Sequence, residues 1–233
     1  VKRAAAIALL AATGCVSEPP PVAPSPTQAE WERAHEELER LRARSPRVPH
    51  TERVAVTVHA FGHVLEGRGA LAILPGEALR MIVVGAAGAT AFDLWMGKDA
   101  WRVEVPAAGL VRRGTSRDPA PGLPTGFFRS WFIDPLGGRL LAAADRTLFV
   151  RDRAGGTWAL DVERGTTLRV TATRKAGERT QSLEFEGAPA APRAGDRARW
   201  SDPSAKLVVE IVVEEVGLDP PDPDAFVEPR GPS

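Results

Sequence analysis

The chain has no tyrosine, one cysteine and no net charge: 30 Lys and Arg balance 30 Asp and Glu over 233 residues. Nothing in the sequence explains the missing tyrosine. The lone Cys15 excludes an internal disulfide and a cysteine-based zinc site. Neutrality, with basic residues scattered and never in a long run, argues against a nucleic-acid surface, which needs a clustered positive excess. Catalytic signatures are missing too. There is no Gly-x-Ser-x-Gly elbow, no phosphate-binding loop and no paired-histidine zinc motif. Gly67-Arg68-Gly69 lacks the third glycine and the following helix of a dinucleotide site. Carboxylates fall on the wet faces of strands, and only Asp93, Asp134, Asp145 and Asp152 merit a check for clustering. The expectation is therefore no enzyme, no catalytic residue, no cofactor and no metal. His59 and His63 read as two histidines on a half-wet strand face rather than as ligands.

What is present begins with VKRAAAIALLAATGC. Lys2 and Arg3 form a basic start, and Ala4 to Ala12 an apolar run too short to span a bilayer. Thr13-Gly14-Cys15 resembles the bacterial lipobox. On that reading residues 1–14 are a lipoprotein signal peptide and Cys15 is the lipidated residue; a plain signal peptide and a buried thiol are the alternatives. Several acyl chains, at about 0.8 kcal/mol per buried methylene, would hold the protein firmly on a membrane. Residues 15–27 form a Pro-rich tether with too little apolar surface to fold.

From Gln28 to Arg44, Trp31, Ala34, Leu38 and Leu41 make one apolar stripe, which predicts a helix packed on the rest through Trp31 and Leu38. Period-two alternation then dominates. Arg53 to Leu65 reads as one long strand with Gly62 as a bend. Gly67 to Pro106 reads as four short strands between turn signals. In the last of these Trp101, Val103 and Val105 alternate with Arg102 and Glu104. Leu110-Val111, Leu148–Val150, Trp158–Val162, Leu168–Val170, Leu183–Phe185 and Leu207–Val213 bring the count to about eleven strands. Strands so closely spaced pair antiparallel. Thr125 to Gly138 interrupts them. Thr125 is placed to cap a short helix whose face carries Phe128, Trp131 and Phe132, with Phe127 beside it. Residues 217–233 form a Pro- and Asp-rich tail with Phe226 as its large apolar anchor.

So many half-dry strands with two short helices cannot form a flat, covered layer. The expected fold is mainly β (α+β): a curled antiparallel sheet, or unclosed β-barrel, with a helical lid over residues 28–216. Such a sheet can enclose a ligand cavity, although a compact filled core satisfies the same pattern.

Two segments carry a resemblance. Leu79-Arg80-Met81-Ile82-Val83 through Gly88-Ala89-Thr90-Ala91-Phe92-Asp93-Leu94, and Phe128-Arg129-Ser130-Trp131-Phe132 with Pro135 and Gly137, resemble the outer-membrane lipoprotein receptor family (LolB) and its periplasmic carrier relatives (LolA). The last strand and Asp224-Ala225-Phe226-Val227-Glu228-Pro229 echo the wider superfamily. The resemblance implies an apolar cavity under a lid, holding the acyl chains of a lipoprotein in transit. Phe128, Trp131 and Phe132 would face it from the lid; Met81, Val83, Phe92, Leu94, Trp101, Val103 and Trp158 would form its wall, unless they are plain core. It also implies a monomer in the cell envelope, lipid-anchored to the outer membrane and facing the periplasm. Its partners would be acyl chains or lipoproteins, the membrane through Cys15, and a periplasmic carrier protein. A non-enzymatic envelope scaffold with a filled core is the alternative. Ala86 and Ala87 stand where the receptor has a large apolar residue in a turn, which departs from membrane insertion there.

Overall fold

The computed structural model describes residues 27–60, 62–85, 88–115, 124–144 and 146–229. The signal and tether through residue 26, with Cys15, and also Ala86, Ala87 and Asp145, lie outside the described residues. The chain starts with α1 (Gln28–Ala43). Thr27 and Glu30 form a reciprocal capping box at its start, satisfying two of the backbone donors a helix leaves open. Ala34, Leu38 and Leu41 are buried, while Trp31 packs on the core only in part.

Thirteen strands follow: β1 (His50–Ala60), β2 (His63–Leu74), β3 (Ala78–Gly85), β4 (Thr90–Met96), β5 (Ala100–Val105), β6 (Leu110–Thr115), β7 (Gly138–Ala144), β8 (Thr147–Asp152), β9 (Thr157–Arg164), β10 (Leu168–Ala176), β11 (Arg179–Gly187), β12 (Arg197–Asp202) and β13 (Leu207–Gly217). They form one sheet in the order β6-β5-β4-β3-β2-β1-β13-β12-β11-β10-β9-β8-β7. Every pairing is antiparallel. Two meanders, β1–β6 and β7–β13, are thus joined where β1 pairs with β13. Strands β6 and β7 stand at opposite ends of that order and are not paired, so the barrel is not closed.

The sheet curls because both meanders bury the same face. Across the first, Ile73, Leu79, Met96 and Trp101 stand in register as one dry row. Across the second, Leu148, Leu160, Ala172, Leu183, Trp200 and Val209 make another. The Trp101 ring lies over Gly114 of β6, where a Cβ atom would sit only 2.6 Å from ring carbon Cε2. Its indole N–H donates to the Thr115 carbonyl at 3.0 Å. Glycine at 114 is therefore a condition of burying Trp101.

The structure corrects several expectations. There are thirteen strands rather than about eleven. Strands β7 and β12 were not foreseen, and Arg53 to Leu65 is a hairpin rather than one strand. Gly62, at φ 83°, takes the turn in the left-handed region that favours glycine. Arg102, expected on a wet face, is 1% exposed. It stands beside Trp95, whose indole donates to the Phe226 carbonyl at 2.8 Å as the C-terminal segment crosses the outer face.

Candidate ligand cavity beneath the aromatic lid

A short lid packs across the dry face of the sheet. Helix α2 (Thr125–Phe128) runs directly into a π-helical turn, Arg129–Ile133. Thr125 does not cap it. Pro124 holds the cap position, and Thr125 is buried with no hydrogen-bond partner for its hydroxyl among the described residues. In the π turn the Asp134 N–H reaches back five residues to the Arg129 carbonyl at 2.9 Å. Turns of this kind are rare and concentrate at functional sites.

The wider winding clusters the aromatics on the inward side. The Phe127 ring lies 5.3 Å from Phe128 and 5.9 Å from Phe132, and stacks on Trp200 across the core at 6.3 Å. Phe128 and Phe132 stack at 5.9 Å. Trp131 is half-buried against Phe185 at 4.8 Å. The lid is thus a plug of ring contacts.

Few polar ties hold it. The Gly76 N–H donates to the Ile133 carbonyl at 2.8 Å. Arg129 donates to the Gly97 carbonyl. Burial pushes the Arg129 guanidinium below its usual value, Asp134 and Asp99 oppose this, and Arg153 adds to it. Arg42, at the end of α1, donates to the carbonyls of Leu136 and Gly138, each at 2.9 Å. Leu136 itself sits at φ 47°, a strained conformation for a side-chain-bearing residue.

Beneath the lid lies a cavity of about 40 Å³, with Trp131, Phe132 and Phe185 on one side and five ionisable groups, Arg44, His50, Glu52, Asp196 and Arg197, along its wall. Arg44 pairs with Asp196 and lies 4.2 Å over the Phe185 ring. Burial pushes the Arg44 guanidinium down, while Asp196 and then Glu52 pull it back up. His50 and Glu52 are 1% and 3% exposed. His50 Nδ1 faces the Val48 carbonyl at 3.1 Å, and its Nε2 faces Glu52 Oε1 at 3.5 Å. The other carboxylate oxygen, Glu52 Oε2, is buried with no partner among the described residues.

On the other side of the lid Arg174, Asp152, Gln181 and Asp202 form a second polar group, and these four are paired. Arg174 Nε donates to Asp152 at 2.6 Å, and Arg174 Nη1 to Gln181 at 3.4 Å. Gln181 donates in turn to Asp202 at 3.1 Å. Burial pushes the Asp202 carboxyl up, but hydrogen bonds from the Ser204 hydroxyl, Gln181 and the Ala205 and Ser204 N–H groups outweigh it and leave Asp202 below the usual carboxylate range.

Of the residues predicted to line an acyl cavity, Trp131 and Phe132 border the space under the lid. Met81, Val83, Leu94, Trp101, Val103, Phe128 and Trp158 are buried in the surrounding core, and Phe92 is half-buried beside it. Trp101 also borders a groove of about 350 Å³ on the other side of the lid, with Lys98, Arg129 and Asp152. His50, Glu52, Arg44 and Asp196 were missed. His50 and Glu52 continue the dry positions of Val54 and Val56 at period two, but as polar residues they add nothing to a hydrophobic pattern. Of the four acids singled out for clustering, the three among the described residues are each held by an arginine: Asp93 by Arg80, Asp134 by Arg153 and Asp152 by Arg174. No group of three His, Cys, Asp or Glu suited to a metal occurs among the described residues, His59 and His63 included.

No family model matches the chain, and no curated protein matches it by sequence. Solved structures do. A LolA superfamily protein from Nitrosomonas europaea superposes with a TM-score of 0.53 at 15% identity, over 84% of this chain and 97% of that one. A DUF1329 family protein from Desulfovibrio piger gives 0.46 at 13% identity, over 88% and 98%. A domain assigned to outer-membrane lipoprotein sorting from Vibrio parahaemolyticus gives 0.42 at 11%, over 83% and 94%. The chain shares its fold, an unclosed antiparallel sheet with a short helical lid, with the LolA superfamily protein from Nitrosomonas europaea.

Proposed function

We propose that the chain is an envelope lipoprotein that takes up the acyl chains of a lipoprotein or lipid beneath its lid. Cys15 is its lipid anchor, residues 15–27 its tether, and residues 28–216 the binding domain, facing the periplasm from the outer membrane and receiving cargo from a carrier. The reading draws on the lipobox-like start, on the shared fold and on the resemblance to lipoprotein receptors and carriers. The observation that carries it is the lid: a nine-residue segment, Thr125–Ile133, fills the open side of the sheet with phenylalanine rings and few hydrogen bonds. Methylene groups offer those walls the same apolar contact, at about 0.8 kcal/mol each. Exchanging rings for hydrocarbon is then close to balanced, which keeps the cargo releasable. The step is a non-covalent transfer that needs no catalytic residue.

The space of about 40 Å³ is far below the roughly 300–1,000 Å³ of ligand pockets, so uptake requires the lid to swing out. That small volume is also what favours the second reading, a scaffold lipoprotein with a filled core. Delipidated full-length protein separates the two. Saturable uptake of a fluorescent fatty acid, weakened by Phe132→Asp, supports the carrier. Absence of uptake, together with absence of co-purified lipid in native mass spectrometry, leaves the scaffold.

A further inference from the structure

Glu52 is out of place in a purely hydrocarbon site. It stands in register with Leu71, Met81, Leu94 and Val103, at the β1 end of a dry row. A carbonyl can only accept, so His50 Nδ1 donates to Val48 and Nε2 is left facing Glu52 Oε1. Arg44 is matched by Asp196. What remains is Glu52 Oε2, buried without a partner among the described residues, on a residue that borders the cavity under Trp131 and Phe132. The cavity, about 40 Å³, has room for about three waters, which is the scale of one polar linkage and not of a chain.

We propose that Glu52 Oε2, oriented by His50, accepts a hydrogen bond from the N–H of an amide-linked acyl chain, and that this site therefore selects N-acyl over O-acyl cargo. The inference rests on the acyl-chain reading. The hydrocarbon occupies the place of the displaced rings, and the amide stops at the polar wall. An ester at the same position presents only oxygen acceptors to a carboxylate oxygen, leaving both unpaired in a dry site. Arg44 stays engaged with Asp196 and Phe185 and takes no part in the choice.

The test uses two probes of equal length and near-equal shape, N-methyldodecanamide and methyl dodecanoate, displacing a fluorescent fatty acid from delipidated full-length protein. The amide is expected to displace at about tenfold lower concentration, the scale of one hydrogen bond to a charged group. In Glu52→Leu the ratio should fall to near one. The native ratio is itself decisive should the variant not fold. Equal displacement by the two probes, or a preference that survives Glu52→Leu, overturns the inference and leaves the acyl-chain reading standing. Failure of the protein to take up any fatty acid removes that reading and the inference with it.

Discussion

The two ends of the concave face carry the same kinds of side chain and use them differently. At one end Asp152, Arg174, Gln181 and Asp202 form a chain in which each member has a partner. At the lid end Arg44–Asp196 is paired, but the neighbouring Glu52 leaves a buried oxygen unmatched beside a cavity. A satisfied buried network seals and specifies a fold, whereas an unsatisfied group costs stability and leaves an acceptor open to a further partner. The contrast separates a structural cluster from the candidate site.

Opposite responses to charge removal would sharpen the contrast most. Arg174→Leu strands Asp152 without its buried partner, and should cost about 3–5 kcal/mol in denaturant unfolding. A loss under about 1 kcal/mol, the range of an exposed pair, would erase the distinction between the ends. Glu52→Leu should act the other way. It removes an unmatched buried acceptor that costs about 1–3 kcal/mol, so the unfolding midpoint should rise or stay level. A large destabilisation would mean that Glu52 holds the lid end together as Arg174 holds the other.

Acid should find the sealed end as well. The folded-state value of Asp202 lies below the ordinary carboxylate value of 3.8, so its contribution is complete above that value. It is lost as pH falls toward and through the lower folded value. Stability of the native protein should therefore drop more steeply than that of Asp202→Asn below the ordinary carboxylate range, a modest difference visible in melting temperature against pH. Parallel curves would show that Asp202 plays no part in the acid response.

The fold was legible where alternation was clean. Trp101–Val105, Trp158–Val162 and Leu207–Val213 alternate apolar and polar residues at period two, and each is a strand, although Arg102 on the polar side of the first is buried. Strand β7 escaped because its register shifts between Leu140 and Ala142, breaking the period, and its other residues are mostly alanine. In β12 only Trp200 is a large apolar group, and the dry position at its end is Asp202. The lid aromatics were legible from their density alone. The cavity's polar wall was not, because a hydrophobic pattern cannot report a buried His or Glu: His50 and Glu52 sit on the dry face of β1 and read as the polar lead-in to a strand. Arg44 and Asp196 meet across 152 residues, a pairing visible only after folding.

The central claim is that acyl chains replace the lid rings, and the distance between lid and sheet tests it. Fluorophores on cysteines at Ser130 and Glu215, in a Cys15→Ser background, report that distance directly. The account predicts that adding a long-chain fatty acid lengthens it in a saturable, concentration-dependent way. An unchanged distance, with fatty acid demonstrably bound, would contradict it.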